Sequence, residues 1–214
     1  MDGLARIAEE VKTVASQLQA ISGRLAAMGE AVCDCDGALP LAVEFRLPML
    51  NLHKAWYEAT RKYGEYRHHP PAEDWNLETG ANTDLGEPLV APFSGLVISA
   101  HDWRGGTGRI VQILGLKPTS EMIVWSGWHL HTMRVDAGQV VVCGEEIGTI
   151  GNADGRYAGA HLHEQICVVN AWGIPKANAY VSDPRYDWRR PSDFYIEHGV
   201  DPELVRRVAA LDGV

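Results

Sequence analysis

The sequence is short of cysteine, of phenylalanine and of positive charge, and no long apolar run crosses it. Four cysteines stand in 214 residues, at Cys33, Cys35, Cys143 and Cys167. No pair is spaced C-x-x-C, so neither a zinc knuckle nor a compact disulfide framework fits, and the thiols read as free. Lysine and arginine total 19 against 28 acidic residues, a formal net charge of −9. That balance excludes phosphate-backbone binding as the main task, so no nucleic-acid partner is expected. No stretch approaches the roughly 20 apolar residues that span a bilayer, so no membrane insertion is expected either. The first residues show no basic cluster followed by an apolar segment, and no secretory signal is expected.

What is present is one ordinary core's worth of apolar residues, 46% of the chain, with an accessory segment at the front. Leu4, Ile7, Val11, Val14, Leu18, Ile21, Leu25, Met28 and Val32 alternate spacings of three and four. This heptad pattern predicts a coiled-coil helix over residues 1–32 and a homo-oligomer formed through residues 4–32. The competing reading is an amphipathic helix folded back on its own domain, because Gly23 and Gly29 weaken the helix. Residues 33–65 read as a linker and irregular entry segment, and the region from 41 to 80 as irregular structure covering a site. From Pro88 onward come short β-type runs: Leu89–Val90, Gly95–His101, Arg109–Leu114, Met122–Trp125, Gln139–Cys143, Ile147–Ile150 and His161–Val169. Gly or Pro punctuates nearly all of them, which predicts a mainly β, antiparallel domain. Residues 171–214 form a tail expected to pack on that domain and to end in a short helix near Asp201–Leu211.

The most informative residues are Gly159-Ala160-His161-Leu162-His163. On an extended strand alternate side chains share a face, about 6–7 Å apart. Two imidazoles so placed can bind a metal together, or one can bind while the other handles protons. Upstream stand His69 and Asp74 in His-His-Pro-Pro-Ala-Glu-Asp-Trp-Asn, then Asn82-Thr83-Asp84-Leu85-Gly86-Glu87-Pro88, then Trp128-His129-Leu130 followed by Val135 and Gly138.

In this order and at these spacings, residues 66–170 resemble the lysostaphin-type (LytM-like) zinc peptidoglycan endopeptidases. The resemblance implies an open antiparallel β-sheet whose groove holds Zn2+, with His69, Asp74 and His163 as metal ligands. It implies His129 and His161 as the two non-ligand histidines that share proton transfer and oxyanion stabilisation. Two departures stand out. The family separates its first His and Asp by three residues, whereas four lie between His69 and Asp74; a bulge at Pro70-Pro71 would restore the geometry, and His68 is the alternative ligand. Where the family has an aromatic residue and then Glu after the H-x-H, this chain has Glu164 and Gln165.

The bland readings stand beside these. Asp74, Asn82 and Asp84 are turn formers by type, although the resemblance places Asn82 near the site. Glu73 reads as solvated. Tyr63, Tyr66 and Trp75 would line a groove or pack in the core. His53, His101, His131 and His198 match no position and read as structural or exposed. The implied substrate is a peptide bond in a peptidoglycan cross-bridge or stem, acted on outside the cytoplasm. Without an export signal, the context expected is a phage lysin or virion-associated enzyme released by a partner. The rival is a catalytically inactive relative serving as a coiled-coil adaptor or phage structural protein.

Overall fold

The computed structural model describes residues 39–52, 56–58, 71–77, 79–179, 181, 183–201 and 203–205. The chain divides into two units, Met1–Gly37 and Ala38–Val214. The first, with the heptad segment, Cys33 and Cys35, lies outside the described residues, as do His53, Tyr63, Tyr66, His68 and His69.

Among the described residues of the second unit are eleven strands and one named helix. The main sheet runs β1 (Trp56–Glu58), β2 (Glu73–Leu77), β10 (Leu162–Val168), β6 (Met122–Leu130), β5 (Arg109–Leu116), β4 (Gly95–Asp102) and β8 (Val140–Val141), in that spatial order. β11 (Asp187–Arg189) also pairs with β10. A small second sheet orders β3 (Pro88–Val90), β9 (Glu146–Thr149) and β7 (Thr132–Met133). Every named strand pair is antiparallel, so the expected mainly β antiparallel architecture is what the chain forms. Among the described residues no helix is long and apolar enough to cross a membrane.

Burial explains the strand patterns. The central β5, Arg-Ile-Val-Gln-Ile-Leu-Gly-Leu, is buried at its six inner positions, and β6 at eight of nine. Both faces of these strands are covered, so their sequences are apolar runs without alternation. On one face Val111, Ile113, Trp125, Leu162 and Ile166 meet Trp75, Phe194 and Tyr195 in the principal core. Through Trp128 and Gln112 the other face is more polar and carries the histidines.

β6 extends to Leu130, five residues past the run legible as β-type, because Ser126, Gly127 and His129 interrupt its apolar character. β2 lies inside the segment read as irregular. Its Glu-Asp-Trp-Asn-Leu pattern puts Glu73, Trp75 and Leu77 in the interior while Asp74 and Asn76 point the other way. The strand was hidden because one inward residue is a glutamate. The described helix, α1 (Pro191–Glu197), begins with proline at its first turn, where the missing N–H costs nothing. It precedes the helix expected near Asp201–Leu211, of which residues 203–205 are helical and 206–214 lie outside the described residues.

Gly151 forms a bridge with His161 where the chain passes beneath the end of β6. A Cβ at Gly151 would stand 2.3 Å from the His129 carbonyl oxygen and 2.5 Å from the His131 nitrogen, contacts that only backbone movement can relieve. Gly151→Ala should destabilise the protein by about 1–3 kcal/mol, the usual cost of overpacking. A denaturation midpoint equal to that of the wild type would show that the crossing relaxes freely.

Candidate active site

β2, β10 and β6 lie side by side, and their register places His163 opposite Asp74 on one flank and opposite Trp128 on the other. The His163 Nδ1 is 2.8 Å from Asp74 Oδ1, and the Trp128 ring centre is 4.8 Å from that of His163. Beyond the end of β10, His161 is set by the Gly151 bridge. His129 stands between them, its ring centre 4.7 Å from His161 and 5.7 Å from His163. Four of the five residues singled out from sequence thus converge: Asp74, His129, His161 and His163. The fifth, His69, lies outside the described residues, and so does its alternative, His68.

Hydrogen bonds fix the tautomers. His129 Nδ1 lies 3.1 Å from the Thr107 carbonyl, and His161 Nδ1 lies 3.1 Å from the Gly159 carbonyl. A carbonyl oxygen only accepts, so each Nδ1 carries the proton and each Nε2 keeps a lone pair when the ring is neutral. His129 also donates its backbone N–H to the same Thr107 carbonyl at 3.2 Å. The residue holds φ = 67°, an uncommon conformation for a β-carbon residue, held here by its surroundings. Burial, first, and then the neighbouring charges of His161 and His163 push the His129 pKa well below its usual value, with Asp74 and the Thr107 carbonyl opposing. The ring is a neutral base at neutral pH.

His163 is 4% exposed, its Nδ1 facing Asp74 and its Nε2 lying 2.9 Å from the Gln165 amide nitrogen. With the amide nitrogen donating to Nε2, Nδ1–H donates to Asp74. Turning the Gln165 amide end for end lets its oxygen accept from Nε2–H and leaves a lone pair on Nδ1 beside the carboxylate oxygen. The second arrangement presents one imidazole nitrogen and one carboxylate oxygen to a cation, a donor set that suits zinc. Among the described residues no group of three or more His, Cys, Asp or Glu could by itself hold a metal.

Two loops frame the histidines. Arg109 Nη1 donates to Asp154 Oδ1 at 2.7 Å, and Asn152 Nδ2 donates to Asn82 Oδ1 at 3.2 Å, so Asn82 braces this wall from outside. Tyr157, from the same loop, puts its ring centre 4.7 Å from His129 and 5.0 Å from His161. Sequence reasoning missed Tyr157 and Thr107, and neither carries a local signal, since both lie in glycine-punctuated loops. Glu73 is a correction: it is 1% exposed, not solvated. Trp75 belongs to the core and donates its indole N–H to Glu164. Asp84 is buried and desolvation pushes its carboxyl up to about 7. His198 stacks on Phe194 and His101 packs edge-on to Trp103, while His131 is exposed. Cys143 and Cys167 are free thiols.

An open antiparallel sheet thus gathers a carboxylate and three histidines into one cluster. Residues 78–173, just under half of the chain, match the model of peptidase family M23. The matched stretch contains His129, His161 and His163 and begins after Asp74. Among solved structures, the antimicrobial peptidase lysostaphin from Staphylococcus simulans is similar in fold, with TM-score 0.51 and 20% identity, covering 73% of this chain and 55% of that one. The lysostaphin catalytic domain aligns with TM-score 0.42 and 21% identity over 57% of this chain and 76% of that chain. A zinc-containing peptidase from Vibrio cholerae aligns with TM-score 0.39 and 22% identity over 65% and 38%. No curated protein matches the sequence.

The depressed His129 ring has a thermodynamic consequence. As pH falls below 6.5, the unfolded chain protonates this histidine before the folded protein does. Stability is therefore retained above that pH and drains away below it. Glu164 and Asp84, both raised to about 7, contribute slopes of opposite sign, so the comparison with a variant is the readout. In chelator-treated protein, His129→Asn should lessen the fall in unfolding free energy on acidification relative to wild type. Parallel curves for the two proteins would contradict a buried neutral His129.

Proposed function

We propose that the protein is a zinc-dependent endopeptidase that hydrolyses peptide bonds in bacterial peptidoglycan cross-bridges or stems. The observation that carries this reading is Asp74 Oδ1 facing His163 Nδ1 across β2 and β10, with two Nδ1-protonated histidines alongside. Asp74 and His163 would hold the cation, with His69, or His68 in its place, as the third ligand. Two imidazoles and one carboxylate are a donor set that suits a hydrolytic zinc. Held by these side chains, zinc would supply Lewis acidity toward the scissile carbonyl and lower the pKa of water. The protein's own part is proton traffic. His129 and His161 each offer an Nε2 lone pair, which can take a proton from the attacking water and return it to the leaving amine. In its protonated form either ring can donate to the developing oxyanion. The buried flank formed by Trp128 limits water around these groups and strengthens their electrostatics.

The peptidoglycan substrate is supported by the M23 domain and by the resemblance to lysostaphin-type enzymes. The heptad over residues 4–32 supports assembly or tethering through a coiled coil. A peptidoglycan substrate would place the protein's action at the cell wall.

Purified full-length protein should carry stoichiometric zinc and clear cell-wall suspensions. His163→Ala should lose both properties. His129→Ala and His161→Ala should keep zinc and lose about 10²–10⁴-fold in hydrolysis, the usual contribution of a positioned acid–base group. Zinc binding without wall clearing would favour the inactive adaptor, and clearing that survives His129→Ala would remove that residue from the chemistry. For the coiled coil, Leu18→Asn with Ile21→Asn should reduce the mass in sedimentation equilibrium to that of a single chain. An unchanged mass would place any association elsewhere.

A further inference from the structure

The two strands that present Asp74 and His163 carry a second pair of acids on their opposite face. Glu73 and Glu164 are also cross-strand partners, one residue along from Asp74 and His163. Both are buried, Glu73 at 1% exposure and Glu164 at 0%. Glu164 accepts from Trp75 Nε1 at 2.7 Å, Trp125 Nε1 at 2.5 Å and the Tyr195 hydroxyl at 2.5 Å. Those donors come from β2, β6 and α1, so one carboxylate on β10 joins all three neighbours. Glu73 accepts from Arg190 Nε at 2.7 Å, from the Ser192 backbone N–H at 2.8 Å and from the Ser192 hydroxyl at 2.6 Å.

The donors on Arg190, Ser192 and Tyr195 follow β11 in sequence, and β11 pairs with residues Ile166–Val168 of β10. β2 pairs with Leu162–Glu164 of the same strand. The C-terminal segment thus lies in line with β2 along one edge of β10 and then turns under both strands. This segment is outside the 78–173 stretch that matches the peptidase family. A buried acid is tolerated only where donors satisfy it, and removing a donor releases the group to seek water. The strands that would have to shift are those holding the histidine and the aspartate.

We propose that the Arg190–Tyr195 segment and its two buried glutamates are positioning residues for the cation site, fixing β2 against β10 so that Asp74 stays beside His163. The inference rests on the reading of that pair as metal ligands. It makes the C-terminal segment part of the site, although its bonds lie on the opposite face of the sheet from Asp74 and His163.

The test uses the full chain and measures the zinc dissociation constant by competition with a chromophoric chelator, alongside the melting temperature of the metal-free protein. Tyr195→Phe removes a single oxygen from Glu164 and keeps the ring in the core. Arg190→Ala removes one bond to Glu73 from a side chain that is 36% exposed, so it provides a variant that leaves the interior packing alone. Each should weaken zinc binding by about 10- to 100-fold, the usual effect of disturbing the groups that hold metal ligands. Hydrolysis lost at limiting zinc should return at saturating zinc. If both variants bind zinc within twofold of wild type, even with a lowered melting temperature, the segment is a structural brace and the proposal fails. If wild-type protein binds no zinc, the metal reading fails first and carries this one with it.

Discussion

The site depends on one register: β2 and β10 run antiparallel with Asp74 directly across from His163. A shift of β2 by a single residue would turn Asp74 to the opposite face while His163 kept its place, because strand side chains alternate with a period of two. Glu73 would then replace Asp74 on the site face, and the Arg190 and Ser192 donors beneath would lose their acceptor. The register is therefore specified twice, once by the polar contact above the sheet and once by the buried hydrogen bonds below it. That doubling is why a strand of only five residues, Glu73–Leu77, can hold a side chain in place.

The same sheet holds the four site residues in two different ways. Asp74 and His163 lie on the strands, held by pairing on both sides. His129 and His161 sit where strands end and loops begin, and carbonyls from Thr107 and Gly159 set their tautomers. Nothing charged is needed for that orientation. A carboxylate in place of either carbonyl would raise the basicity of the ring and favour its protonation at neutral pH. Burial acts the other way on His129 and keeps it available as a base. The conformational strain at His129, at φ = 67°, is tolerated because the Thr107 carbonyl receives both its backbone and its ring N–H.

Much of this was legible in the residues. The β class followed from short apolar runs between Gly and Pro, and seven of the strands lie where those runs do. His161 and His163, in one short motif, and His129 and Asp74 upstream were singled out from their order, and the fold brings these four together. Less legible were the features whose residue types mislead. Glu73 read as solvated because glutamates usually are, yet it caps α1 from a neighbouring strand. β2 was invisible because its inward side carries that glutamate. Tyr157 and Thr107 stand in loops whose composition signals only a turn.

By itself the sequence determined the chemistry on offer and the β architecture, because residue types fix what groups can titrate or coordinate and alternation fixes which of them share a strand face. Only the tertiary structure decided which partner each group meets. Asp74 and His163 are 89 residues apart, and Glu73 and Ser192 are 119 apart. Contacts at such separations are set by strand order and packing, which depend on the burial of the whole core and leave no mark in any local pattern.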